Sequence, residues 1–192
     1  MTLDLSAADY TLSGLRPFPV AVTTVDEGRT NGLISLSAGS ASIVPEAPRV
    51  TISLTKYNLT HDMVMRSGVF AMHLLAATPD DALERSLAII MGLGGRSGRD
   101  GDKLAPFAVK AGVTGAPILL DALSYVEGRV VGSLDAEENT VFLADVVAAE
   151  RFGTGERLRI GPAWQTLPKE WIERYETNHA AQLEHARRSR GL

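Results

Sequence analysis

Lys56, Tyr57, Asn58, Leu59 and Thr60 set an ammonium, an amide and a hydroxyl close together. They stand where a strand pattern yields to a helix pattern, so the free N–H groups of a helix start would join them and suit a phosphate. The competing reading is an ordinary helix cap beside a solvated lysine. Residue types alone leave both open.

A second segment is glycine-rich, with Gly92, Gly94, Gly95, Gly98 and Gly101. It fails as a P-loop, which needs glycine followed at once by Lys and Ser or Thr, because Asp102, Lys103 and Leu104 follow Gly101. A Rossmann fingerprint begun at Gly92 would need glycine where Ser97 stands. Gly92 to Lys103 is therefore expected to be a mobile loop of the kind that often holds ligands. His61, His73, His179 and His185 lack zinc-site spacing. Each reads as structural, although His61, at a helix start, could also face a ligand. Gly39-Ser40-Ala41-Ser42 narrowly misses a nucleophile elbow; its hydroxyls suit a polar ligand or a turn of their own backbone. No catalytic residue and no metal-ligand set is assigned.

The chain that must position these groups has 192 residues, 45% hydrophobic and 22% charged, enough apolar material for one domain with an appendage. Its 19 Lys and Arg against 23 Asp and Glu give a net charge of -4, which offers no general field for nucleic acid or an anionic membrane. Cysteine is absent, so redox chemistry would need a bound cofactor. Met1-Thr2-Leu3-Asp4-Leu5 carries an early acid and no basic region ahead of an apolar run. No apolar stretch approaches the roughly 20 residues of a membrane span. A soluble, cytoplasmic protein is expected, and the sequon Asn58-Leu59-Thr60 then carries no weight.

Val20 to Val25 and Thr30 to Leu36 read as a hairpin closed by Asp26-Glu27-Gly28. A small-residue stretch from Ser35 to Pro48 reads as loop, and Arg49 to Leu54 alternates like a half-buried strand. A short helix capped by Asn58 or Thr60 should run to Arg66 and end at Gly68. A strand over Val69 to Leu75 and a helix from Thr78-Pro79 to about Met91 follow. Ala122 to Leu134 and Thr140 to Phe152 form a large hairpin, and after Pro168 the spacing of Trp171, Tyr175, Gln182 or Leu183, and Ala186 reads as a thinly apolar helix. Strands outnumber helices without regular alternation, so a mainly β antiparallel barrel with added helices is expected.

Several pieces occur in order: Pro19 to Thr24; Asn31-Gly32-Leu33-Ile34-Ser35 with Ser37, Ser40, Ser42 and Pro48; Ser53 to Asp62; Ser67 to Met72; Ser97 to Leu104; and Asp135 to Ala144. Together they resemble the flavin reductase-like, FMN-binding split-barrel family, over about Pro17 to Phe152. The resemblance implies an antiparallel split β-barrel homodimer that holds FMN, or sometimes FAD, near the subunit interface. On it, Asn31, Gly32, Leu33, Ile34, Ser35 and Ser37 line the isoalloxazine and ribityl chain. Ser40, Ser42, Lys56, Asn58 and Thr60 hold the phosphate and neighbouring ribityl oxygens, Lys56 supplying charge.

The implied chemistry is hydride transfer from NAD(P)H to the flavin, which carries the reactivity itself. Many reductases of that family place Gly-Asp-His before the late hairpin strand, with the histidine toward the nicotinamide. Here Glu137-Glu138-Asn139 stands there, and Asn139 can orient an amide but cannot become cationic. The expected protein is an NAD(P)H:flavin reductase supplying reduced flavin to a partner monooxygenase. An FMN-binding electron carrier without its own nicotinamide site is the alternative, and a ligand-free structural module the third. The expected division is a split-barrel domain over 1–160 and a helical extension over 161–192 that packs on the barrel or the dimer partner.

Overall fold

The computed structural model describes residues 4–192; Met1, Thr2 and Leu3 of the stretch weighed against an export signal lie outside the described residues. Asp4 caps α1 (Leu5–Gly14), its carboxylate accepting from the Ala7 N–H at 3.0 Å. Nothing on α1 is buried, which is why its pattern announces no helix.

β1 (Val20–Asp26) and β2 (Arg29–Ser35) pair from Val20 with Ser35 to Asp26 with Arg29. Glu27 and Gly28 both take positive φ, 48° and 79°, the turn whose twist matches a two-residue hairpin. The stretch from Ser35 to Pro48 departs from the expected loop. A short strand, β3 (Ala38–Ser40), pairs with β4 (Arg49–Thr55) before Pro45 and Pro48 end any further pairing. α2 (Leu59–Ser67) closes on Gly68, left-handed at φ 67°, and leads into β5 (Val69–Leu74).

α3 (Asp80–Gly94) is longer than its sequence pattern, and Gly92 and Gly94 are helical rather than loop. A Cβ on Gly92 would lie 2.5 Å from the Phe107 ring, and one on Gly95 2.6 Å from Trp171 Nε1. Two aromatic side chains thus pack directly on the helix backbone, which offsets the roughly 1 kcal/mol that glycine costs in a helix. Only Gly95 to Lys103 lies beyond regular helix, and Gly98–Asp100 within it forms a 3-10 turn.

A ribbon of β6 (Val109–Ala111) and β7 (Pro117–Leu119) precedes the long hairpin of β8 (Ser124–Ala136) and β9 (Asn139–Arg151). The main sheet runs β2-β1-β5-β8-β9-β4-β3, antiparallel throughout. Irregularities at Glu127/Gly128 and Val130/Gly132 bend β8, so the sheet curls into a half-barrel. Its concave core holds Val22, Ile52, Leu54, Phe70 and Phe142. Phe70 lies against Gly128, where a Cβ would meet its ring at 2.8 Å.

A second core outside the barrel joins Ala21 to Leu87, Ile90 and Leu93 of α3, and to Trp171. Trp171 belongs to α5 (Lys169–Ser189), which follows α4 (Ile160–Thr166) across Pro168. Among the described residues no helix is long and apolar enough to cross a membrane.

Candidate functional site

Where β2, the start of α2, the glycine stretch and α5 converge, the protein holds a cavity of about 660 Å³. Its floor is polar. Asn31 Nδ2 donates to Thr60 Oγ1 at 3.0 Å, and both residues are buried. Gly98 sits so close to Asn31 that any side chain there would overlap the amide, and its carbonyl accepts from Arg29 Nη2 at 2.8 Å. Arg99 ties this stretch to α2, donating to the Tyr57 carbonyl and to Asp62 Oδ2, each at 3.0 Å.

The opposite wall is α5. Trp171 and Tyr175 stack with centroids 5.3 Å apart at 22°, His179 continues the ladder at 7°, and Trp164 meets Tyr175 edge-on at 5.1 Å. Trp171 Nε1 donates to the Met91 carbonyl and Asn178 Nδ2 to the Gly95 carbonyl, both at 3.1 Å, so α5 is pinned along the end of α3. Farther along, His185 meets the Tyr57 ring at 5.3 Å and Arg190 pairs with Glu137 and Glu138. The helix therefore crosses the cavity from α3 to the tip of the β8–β9 hairpin.

Charge in the cavity is one-sided. Arg96, Arg99, Lys103 and Arg174 line it against the single carboxylate of Asp100. Lys103 is only 4% exposed, and its ammonium meets no hydrogen-bond or ion-pair partner among the described residues. Burial, then the nearby Arg96 charge, brings its pKa down from 10.5 to about 8.

Of the residues singled out in the sequence, Asn31, Leu33, Ile34, Asn58 and Thr60 line this cavity. Asn58 occupies the cap position of α2 without a side-chain cap bond, which leaves its amide available. Gly32 is turned away, since a Cβ there would meet the Val22 carbonyl at 2.8 Å and the Leu93 side chain. Ser35 Oγ accepts from the Ser37 N–H, Ser40 Oγ donates to the Ser42 carbonyl, and Ser42 Oγ accepts from the Val44 N–H. Ser40 borders a second, apolar cavity of about 270 Å³ with Phe18, Ala38 and Met72.

Lys56 Nζ is held by Asp135 at 2.7 and 2.8 Å. Asn139 pairs with Thr55 across the sheet, its amide donating to Glu138 Oε1 at 3.2 Å. Neither is among the residues lining the large cavity. His61 is buried between Asp62 and Thr140, at 3.0 and 2.9 Å, and His73 between the Ala21 carbonyl and the Leu119 N–H, both at 3.1 Å. Arg174 and the α5 ladder were missed by sequence reasoning, whereas Arg96 and Lys103 lie in the glycine-rich stretch expected to hold ligands, though neither was singled out. A faint signal for Lys103 was its place between Asp102 and apolar Leu104 in a glycine-broken stretch.

The family model described as "Flavin reductase like domain" matches residues 14–159. The high molecular weight rubredoxin of Moorella thermoacetica is 29% identical over 136 residues, 70% of this chain and 56% of that protein, so the chain spans little more than half of it. The ferric-chelate reductase (NAD(P)H) of Archaeoglobus fulgidus is 29% identical over 130 residues, 67% of this chain and 72% of that protein. Among solved structures, nitrilotriacetate monooxygenase component B from Mycobacterium thermoresistibile superposes with a TM-score of 0.64 at 21% identity, covering 88% of this chain and 94% of that one. α4 and α5 follow the matched residues.

Proposed function

This chain belongs to the flavin reductase-like family, and from that premise we propose that it is an FMN-binding oxidoreductase, an NAD(P)H:flavin reductase that supplies reduced flavin to a partner monooxygenase. The observation that carries the reading is the cavity, whose lining combines the Asn31–Thr60 hydrogen bond with the Trp171–Tyr175 stack. A planar heteroaromatic ring with polar edges fits such a space, and FMN is preferred over FAD. When bound, the flavin supplies the hydride chemistry.

This chain's residues bind and orient. Asn31, Leu33 and Ile34, which line the cavity, would hold the ring, with Gly32 allowing β2 to approach α3. Asn58 and Thr60 offer an amide and a hydroxyl to the ribityl oxygens. Trp171 and Tyr175 exclude water, which strengthens each polar contact inside. Ser35, Ser37, Ser40, Ser42 and Lys56, which do not line this cavity within one chain, complete a flavin site across a homodimer contact. The adjoining Ile43 and Val44, both exposed, support a contact there.

Asn139 favours a second reading, a flavin-bound electron carrier without its own nicotinamide site, because it cannot supply the cationic group that a histidine would. The similarity to a monooxygenase component and to an NAD(P)H-dependent reductase supports the first reading. Titrating the full chain with FMN and then mixing it with NADPH in a stopped-flow spectrometer tests both. The reductase bleaches the flavin unaided; a carrier bleaches only after a separate reductase is added. Absence of any FMN uptake removes the flavin reading altogether.

A further inference from the structure

Arg174 stands on α5, beyond the residues that the family model matches, yet it lines the cavity with Asn178 and Gln182. Residues 174, 178 and 182 recur every four positions and so share one face of the helix. A surface helix normally turns apolar residues toward its protein; beyond Trp171 this one turns arginine, asparagine and glutamine toward a cavity. Such a stripe does not suit a hydrocarbon core. It suits a polar occupant.

Lys103 and Arg96 line the same cavity, Arg96 directly after Gly95, whose carbonyl Asn178 of α5 holds. Arg96 spends one N–H on the Asp102 carbonyl at 2.7 Å and keeps others free. Lys103, nearly inaccessible, finds no acid among the described residues. Burying an ammonium near a guanidinium without a carboxylate is costly, and an anion entering between them relieves both desolvation and repulsion. Arg174 adds a third cation to the lining, likewise without a hydrogen-bond or ion-pair partner among the described residues. Asp100 is the sole acid on the lining.

We infer that Arg174, with Lys103 and Arg96 in the same cavity lining, forms a phosphate subsite for the pyrophosphate of the nicotinamide dinucleotide, so that the C-terminal helix supplies the positive charge that Asn139 cannot. The inference rests on the reductase reading for the dinucleotide, not on flavin binding as such. Arg is the side chain best shaped to hold phosphate oxygens in pairs. The subsite accounts for a long helix laid across the cavity mouth when its own apolar stripe is short.

ADP-ribose, which carries the pyrophosphate without the nicotinamide, is the direct probe. Its binding to the full chain is followed by Trp164 and Trp171 fluorescence, with FMN and riboflavin titrated in parallel. Arg174→Met should weaken ADP-ribose about tenfold, leave FMN within about twofold, and flatten the salt dependence. Arg174→Lys should recover part of the loss. Lys103→Met should weaken ADP-ribose as well, which guards against an effect of α5 alone. ADP-ribose binding that is unchanged in both Met variants overturns the subsite. So does a loss confined to FMN with riboflavin unaffected, because the phosphate held there is then the flavin's. If the native chain binds ADP-ribose through Arg174 but takes up no flavin, the subsite stands and the flavin reading fails; FMN uptake without any ADP-ribose binding has the reverse meaning.

Discussion

His73 and Lys103 are both basic, both buried, and both pushed toward neutrality by burial, His73 from 6.5 to about 4 and Lys103 from 10.5 to about 8. Their surroundings differ. The Leu119 N–H donates to His73 Nε2, so Nδ1 must carry the proton and donate to the Ala21 carbonyl. Both nitrogens are spent in joining β1 and β5 to β7. Lys103 has no such partners and borders a cavity. A buried base that is fully partnered serves the fold, whereas one facing open space is available to a ligand.

The largest effect should come from removing the saturated base. His73→Phe leaves the Leu119 N–H and the Ala21 carbonyl without their ring partner, and should lower stability by about 3 kcal/mol in urea unfolding. ADP-ribose affinity of the folded fraction should be unchanged. A loss of affinity with little loss of stability would erase the distinction between the two sites.

Acid should reproduce part of that loss. Because the folded-state pKa of His73 lies below its unfolded value, the unfolded chain binds the extra proton between pH 6.5 and about 4. Stability therefore falls as pH drops through that window, by up to about 3 kcal/mol from this group. The native chain should lose correspondingly more than His73→Phe over the same range. Parallel curves would show that the ring is not held neutral.

Lys103 follows the same pH sense at higher pH, but replacing it should have the opposite effect on stability. Its folded-state pKa is also depressed, so its charged form penalises folding fully below about pH 8, and the penalty fades as pH rises toward 10.5. Lys103→Met should raise stability by about 1 to 3 kcal/mol at pH 7, less at pH 10, while anion binding is lost. Destabilisation at pH 7 would mean that the ammonium is structurally partnered after all.

The same contrast explains what could be read before the fold was known. β4 announces itself by alternation, β1 by its β-branched residues, the β1–β2 turn by its glycine, and α5 by the spacing of Trp171 and Tyr175, because these are local signals. α1 buries nothing and leaves no pattern. The helical state of Gly92 and Gly94 depends on Phe107 and Trp171, rings distant in sequence. Asn58 and Thr60 were legible as polar groups where a strand gives way to a helix, and Asn31 through the family resemblance. Lys103 was not, since burial without a partner is a property of the folded chain, and Lys56 and Lys103 look alike as letters.

Lys56 gives the smallest expected effect and the finest test. Its ammonium spans Asp135, whose carboxyl is held below the usual range chiefly by that bond and then by the Glu137 N–H, yet the aspartate is exposed to solvent. Exposed pairs contribute little to folding, so Lys56→Ala should leave the urea midpoint of the chain nearly unmoved. If Lys56 serves the flavin phosphate across a dimer contact, the substitution should weaken FMN more than riboflavin, which lacks that phosphate. It should also leave ADP-ribose untouched, because Arg174 and Lys103 hold that ligand. Equal losses of FMN and riboflavin would confine Lys56 to its bond with Asp135, and a loss of ADP-ribose would merge two cationic regions that the single chain keeps apart.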